Sequence, residues 1–268
     1  MSTDGATGRP GSALVAGGTS GLGLATARAL LARGHEVVLL ARGRETGERA
    51  LKELGPGAHL VTGSVTDPDA VASALDRAEE AAPLRIGVNC AGLGRSGTTL
   101  SARGPHPLAE FAETVEVNLT GAFNVARLAA ERMARNAPAD GERGVLVQTA
   151  SAAAYEGQRG QAAYAASKAG LIGMTLPMAR DLGRYGIRVV TLAPGMFETP
   201  MLDVLPDPAR DAIRAELPHT DAFGDPAHFA ALVLHVLDNP MLNGATLRVD
   251  GGLRLPSGLR PRPAPVPE

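Results

Sequence analysis

Residues 12–23 read SALVAGGTSGLG, and the fold follows from how this stretch is parsed. SALVA is small, apolar and uncharged, which suits a short strand covered on both faces. Gly17, Gly21 and Gly23 then let the chain turn sharply and bring backbone close to a ligand. Residues 24–33, LATARALLAR, have helical composition and stop at Gly34, a residue type suited to the position just past a helix end. Strand, glycine turn and helix in that order set free N–H groups and the positive end of a helix dipole at the strand tip, where a phosphate can bind. The glycine spacing is wider than G-x-G-x-x-G, so the place of the loop after the first strand carries the reading rather than the glycines alone.

Outward from this unit the pattern repeats. EVVLLA (36–41), AHLVTGSV (58–65), RIGVNCAG (85–92), GVLVQTAS (144–151), IRVVTLAPG (187–195) and ATLRVDGG (245–252) are strand-like, with helical stretches at about 45–54, 67–81, 108–135 and 162–183. Nearly continuous apolar runs alternating with helices predict an α/β fold: one doubly wound parallel sheet with helices on both faces. The expected organisation is a single catalytic domain over 12–255, an N-terminal tail over 1–11 and a proline-rich C-terminal tail over 256–268. The stretches at 17–23, 89–92, 149–151 and 194–199 all fall at strand C-termini, where such sheets bind ligands.

Composition narrows the function. The chain has 268 residues, 44 % hydrophobic and 20 % charged, with net charge −2, which leaves no basic footprint for nucleic acid or an anionic membrane. No apolar run approaches the ~20 residues a membrane span needs, and the first residues lack the regions of a signal peptide. Cys90 is the sole cysteine, so no internal disulfide forms, which fits a cytoplasmic protein. Beside the expected groove it reads as a packed small side chain, with no histidine partner to make it a nucleophile. The six histidines are scattered without metal-site spacing, and His228 and His235 read as ordinary helix residues; no metal is expected.

The second strand ends LLARGRE, with Ala41 and Arg42 where NAD sites carry an acid for the ribose 2′-hydroxyl. Arg42 and Arg44 suit a 2′-phosphate instead, so NADP(H) is favoured and NAD(H) is the alternative. A charge-assisted hydrogen bond of about 1.5–3 kcal/mol gives roughly ten- to a hundredfold preference.

QAAYAASKAG, residues 161–170, sets Tyr164 and Lys168 four apart on one helix face. A free phenol has a pKa near 10, so only about one in a thousand is ionised at neutral pH. A neighbouring ammonium, and an oxidised nicotinamide, both favour the phenolate. Such a tyrosine can take a proton from an alcohol or return one to a carbonyl. Ser151, at the end of a strand, either holds the substrate oxygen beside it or caps a turn. Asn118 lies mid-helix, where asparagine is unfavourable; it either supports a water-borne proton relay or bonds to nearby backbone.

GGTSGLG (17–23), NCAG (89–92), the asparagine of VNLTG (117–121), Ser151, YAASK (164–168) and APGMFETP (193–200) resemble, in order and spacing, the short-chain dehydrogenase/reductase family over about residues 12–255. The resemblance implies a Rossmann-type fold and catalysis by Asn118, Ser151, Tyr164 and Lys168 with a nicotinamide cofactor. It implies that Gly17, Thr19, Ser20, Gly21, Leu22 and Gly23 hold the cofactor phosphates, with Arg42, Ser64 and Val65 at the adenosine end. Asn89, Cys90, Ala91 and Gly92 then line the middle of the cofactor. Tyr164, Lys168, Pro194, Gly195, Phe197 and Thr199 surround the nicotinamide half, and Gln158 joins Ser151 and Tyr164 at the substrate.

YEGQRGQAAY (155–164) resembles most closely the branch of that family that oxidises short 3-hydroxyacyl-CoA thioesters with NAD. Ala41 and Ser64 replace the acids of that branch after strands two and three. The implied reaction interconverts a secondary alcohol and a ketone, with a hydroxyacyl/oxoacyl small molecule as partner and a homotetramer as assembly. Rival readings are a 3-oxoacyl-carrier-protein reductase, a hydroxysteroid dehydrogenase, and a nucleotide-sensing scaffold without turnover. Residues 197–226 are the expected lid and 92–111 the opposite rim, where Arg95 and Arg103 read as solvated or as contacts for a CoA phosphate.

Overall fold

In a computed structural model of the chain, residues 11–202, 206–219 and 222–257 are described. The two expected tails lie almost wholly outside them. At the inner margins, Gly11 is buried against Arg85, and Pro256 and Ser257 are docked by hydrogen bonds from Gln158 and Arg159.

Seven parallel strands form one sheet: β1 (Ser12–Ala16), β2 (Glu36–Ala41), β3 (Ala58–Thr62), β4 (Leu84–Asn89), β7 (Gly144–Thr149), β8 (Ile187–Pro194) and β9 (Thr246–Val249). Their order is β3-β2-β1-β4-β7-β8-β9. The direction of winding reverses between β1 and β4, which opens a crevice at their C-terminal ends. A short antiparallel hairpin, β5 (Leu100–Ser101) with β6 (Gly104–Pro105), stands on the rim after β4.

The strands look continuously apolar because both faces are covered. Leu14, Ala16, Val38 and Leu40 point to the layer of α3 (Pro68–Ala81), α5 (Gly121–Met133) and α6 (Ala162–Gly183). Ala13, Val15, Val37 and Leu39 point the other way, to α1 (Gly21–Ala32), α2 (Arg44–Leu54) and α8 (Pro226–Asp238). Phe229 of α8 is fully buried in this second layer, where burying one such side chain contributes about 1.5–3 kcal/mol.

Two elements depart from the expected pattern. The helix foreseen over 108–135 runs on without a gap but carries a π-turn over Glu116–Thr120 between α4 (Leu108–Val115) and α5. Within the lid, α7 (Asp207–Ala215) forms, and its Ile213 is buried against Leu202, Phe223 and Leu253.

Candidate active site

A cavity of about 960 Å³ runs along the strand C-termini, from the glycine loop after β1, past β4 and β7, to the segment after β8. Its glycine end is shaped by what a side chain would strike. Gly17 has φ 74°, and a Cβ there would lie 2.6 Å from the Ala91 nitrogen. Gly21 has φ 49°, with Thr199 Cγ2 2.9 Å from where its Cβ would be. A Cβ on Gly23 would overlap the Gly17 carbonyl.

Ser20 occupies the N-cap of α1 but makes no capping bond, and the first turn holds no acid. The orphan N–H groups of that turn are thus left for an anion. Thr19, Ser20 and Leu22 complete this wall. A cradle of uncapped N–H groups, kept open by three glycines, fits the pyrophosphate of a dinucleotide.

At the far end Ala41, Arg42, Ser64 and Val65 line the cavity, and Ser64 Oγ is engaged locally with Thr66, 2.8 Å from its hydroxyl. Arg42 is exposed, and among the described residues it forms no ion pair. Arg44 does not reach the wall, whereas Arg49 of α2 does, also exposed and without an ion pair among the described residues. Sequence reading missed Arg49. Its only signal was its place on the helix that follows Arg42.

Cys90, Ala91 and Gly92 lie on the middle wall, and Asn89 does not. Asn89 is buried behind the wall, donating to Gln148 Oε1 at 3.3 Å and accepting from the Ala91 N–H at 3.3 Å, so it shapes the loop. Cys90 Sγ sits 3.4 Å from Thr149 Oγ1, and burial pushes its thiol up to about 11, which keeps it protonated and inert.

Ser151, Tyr164 and Lys168 converge on one stretch of cavity wall, with Gln158 beside them. Ser151 Oγ accepts from the Ala153 N–H at 3.1 Å, capping the 3₁₀ turn Ala152–Ala154. Of the two sequence readings of Ser151, the turn cap is therefore observed, and the cap does not exclude the other. The cap bond takes one acceptor site and leaves the hydroxyl proton to donate into the cavity. Lys168 is almost fully buried, and its Nζ donates to the Thr149 carbonyl at 2.7 Å, 5.8 Å from the Tyr164 ring centre.

The electrostatics differ from the sequence expectation. Burial pushes the Tyr164 phenol above its ordinary value, against a smaller pull downward from hydrogen bonding to Ser151. Burial also brings the Lys168 ammonium down to about 8. Without a ligand, desolvation outweighs any help the lysine gives, and Tyr164 holds its proton.

Asn118 is fully buried and stands behind the wall. Its Oδ1 accepts from the Leu93 N–H at 2.7 Å, and its Nδ2 donates to the Leu93 carbonyl at 3.0 Å and to Ser167 Oγ at 3.1 Å. The side chain ties the loop after β4 to α6, one residue from Lys168, and the π-turn is what aims it there.

Pro194, Gly195, Phe197 and Thr199 line the remaining wall, joined by Met196, Met201 and Leu202. Gly195 has no room for a side chain, since its Cβ would be 2.8 Å from Asp250. Arg95 reaches the cavity but is paired with Glu113 at 2.6 Å, while Arg103 lies exposed beyond the wall. No group of three or more His, Cys, Asp or Glu side chains that could hold a metal occurs among the described residues. No helix among them is long and apolar enough to cross a membrane.

A Rossmann-type sheet with this cleft defines a dinucleotide-dependent oxidoreductase scaffold, and the short chain dehydrogenase family model matches residues 12–209. The chain belongs to that family. It is 46 % identical over 247 residues to 3-hydroxyacyl-CoA dehydrogenase type-2 of Bos taurus, covering 91 % of this chain and 95 % of the relative. The crystal structure of 3-hydroxyacyl-CoA dehydrogenase type-2 from Mycobacterium avium superposes with TM-score 0.88 at 41 % identity, covering 92 % of this chain and 97 % of that one. A variant of actinorhodin polyketide ketoreductase determined with NADPH superposes with TM-score 0.80 at 31 % identity, covering 91 % of this chain and 97 % of that one.

Proposed function

We propose that the chain is an NAD(P)-dependent dehydrogenase that interconverts a 3-hydroxyacyl-CoA and a 3-oxoacyl-CoA. The convergence of Ser151, Tyr164 and Lys168 on the cavity that begins at the glycine cradle carries this reading, and the similarity to 3-hydroxyacyl-CoA dehydrogenases supports the substrate class. A nicotinamide dinucleotide, when bound, supplies the hydride acceptor or donor.

Tyr164 is the acid/base: its oxygen takes the proton of the substrate hydroxyl in oxidation and returns it in reduction. Ser151 donates its free proton to the same substrate oxygen and fixes it against Tyr164. Lys168 keeps N–H groups beyond the one spent on Thr149, and these hold the ribose next to the nicotinamide. Lowering the phenol by two to three units takes about 3–4 kcal/mol, which burial opposes here, so two positive charges rather than the lysine alone are required. Asn118 positions Lys168 through Ser167, with both amide N–H groups spent on Leu93 and Ser167, and supports the proton relay through that tie. Arg42 and Arg49 favour NADP(H) over NAD(H). The assembly is a homotetramer, supported by the exposed apolar side chains of α4, α5 and α6.

The test is oxidation of 3-hydroxybutyryl-CoA with each cofactor, by wild type and Tyr164→Phe. Wild type turns over faster with NADP, and the variant loses on the order of 10³ in kcat with cofactor Kd kept. Near-normal turnover by Tyr164→Phe, or tighter binding of NAD than NADP, overturns the corresponding assignment. Faster reduction of an oxoacyl-carrier-protein than of acetoacetyl-CoA overturns the thioester reading.

A further inference from the structure

One residue of the cavity wall comes from the far C-terminal part of the chain. Leu255 lines the cavity together with Met196, Leu202 and Ile213. It packs on the lid cluster whose buried members include Leu202, Ile213 and Phe223, and Leu253, two residues earlier, is fully buried in that cluster. Met196, Leu202, Ile213 and Leu255 are all apolar, so the wall they form suits a hydrocarbon chain.

The backbone that carries Leu255 is held from both sides. Arg248, on β9, makes two hydrogen bonds to the Glu156 carboxylate, at 2.8 and 2.9 Å, and stacks 4.7 Å over the Tyr155 ring. The same guanidinium donates to the Leu253 carbonyl at 3.3 Å. Gln158 Nε2 donates to the Pro256 carbonyl at 3.2 Å, and the Arg159 N–H to the Ser257 carbonyl at 3.0 Å. Loop 155–159, which brings Gln158 to the cavity, and segment 253–257 are therefore one unit. A wall tied in this way keeps its position when a longer chain presses on it, and only a wall that does not yield can measure length.

We propose that Leu255 sets the length of acyl chain the site accepts, and that the Arg248–Glu156 pair is the positioning device that holds it. This rests on the reading of the site given above and extends it to chain-length selectivity. One methylene in an apolar pocket changes selectivity by about ten- to two-hundredfold.

The experiment compares kcat/KM for 3-hydroxyacyl-CoA chains of four and eight carbons, and in parallel for 2-butanol and 2-octanol. In Leu255→Ala the eight-to-four ratio rises about tenfold, and in Leu255→Phe it falls by a similar factor. In Glu156→Gln, which loosens the wall without altering its surface, the ratio rises by a smaller factor, through a lower KM for the long chain with little change in kcat. Leu255 variants that melt like wild type and keep the ratio within about twofold overturn the proposal. If Leu255→Ala does not fold, an unchanged ratio in Leu255→Phe overturns it alone. A wild type active on the alkanols but not on the thioesters overturns the thioester reading while leaving the length ratio readable.

Discussion

Lys168 is costly to bury. Its proton is held up to about 10.5 in the unfolded chain and released near 8 in the folded one, a difference of about 3 kcal/mol. Because the folded value is depressed, the penalty is fully present below pH 8 and fades as pH climbs from 8 towards 10.5. Tyr164 acts in the opposite sense: burial holds its proton, so the folded chain is favoured by this group until pH passes about 10 and loses that advantage above it. The clean window is pH 8 to 10. In the cofactor-free protein, Lys168→Met should be more stable than wild type at pH 7 by up to about 2 kcal/mol, once about 1 kcal/mol for the lost bond to Thr149 is allowed for. That margin shrinks as pH rises to 9.5, while the variant's turnover collapses. Denaturant unfolding at pH 7 and 9.5 measures it, and equal margins at both would refute a buried ammonium. The meeting of Tyr164, Lys168 and Ser151 on one cavity was legible because the chemistry expected of them needs fixed residue types at fixed spacing on regular elements. The direction of the tyrosine shift was not, since desolvation depends on how many atoms from distant segments surround the ring.

Arg188 shows how one side chain joins elements. It is nearly buried on β8, and it donates to the carbonyls of Val236, Leu237, Asn239 and Leu242 around the C-terminal end of α8, while its Nε pairs with Glu142. The Val236 and Leu237 carbonyls belong to the last turn of α8, which leaves its C=O groups without helical partners. Arg188→Met should cost about 2–4 kcal/mol, less than for a wholly buried pair because Glu142 is partly solvated. For a chain of this size that lowers Tm by about 5–15 °C, with turnover kept at low temperature. A melting point within about 2 °C of wild type would contradict this role. Such ties join residues about 50 positions apart, so no local pattern announces them. The same holds for the π-turn, whose Asn118 is fixed by Leu93, and for Arg49 and Leu255, which reach the cavity only in the folded chain. Prolines misled for a different reason. A proline reads locally as a helix breaker, yet Pro68, Pro208 and Pro226 all stand in the first turn of a helix, where the missing N–H costs nothing. Strand and helix types elsewhere were legible because sheet-covered strands and amphipathic helices impose different apolar periods.

At the scale of the whole molecule, two surfaces remain unsatisfied. β9 is an outer strand, paired only with β8 among the described residues, and all its residues are partly exposed. An open strand edge is a template for pairing with another chain. Beside it Met241 is 87 % exposed, and Leu176 of α6 reaches the same end, 2.9 Å from where a Cβ on Gly244 would be. A second surface, on α4 and α5, leaves Leu108 79 % and Phe123 47 % exposed. These are the apolar side chains that the proposed homotetramer would cover. Two self-complementary surfaces, each used across its own two-fold axis, close into a tetramer, whereas one alone stops at a dimer. Sedimentation at micromolar concentration should therefore give a species of about 110 kDa from the 27.4 kDa chain. Charging the helical surface, with Leu108→Glu and Phe123→Glu together, should halve that mass and leave the helix content intact. The β9 surface still holds two copies together in that variant, so a further change there, Leu176→Glu, completes the dissociation to monomers. A wild type that sediments as a monomer removes both interfaces at once. A tetramer unaffected by the helical charges removes the first interface, and because the strand edge alone stops at a dimer, it overturns this two-surface account.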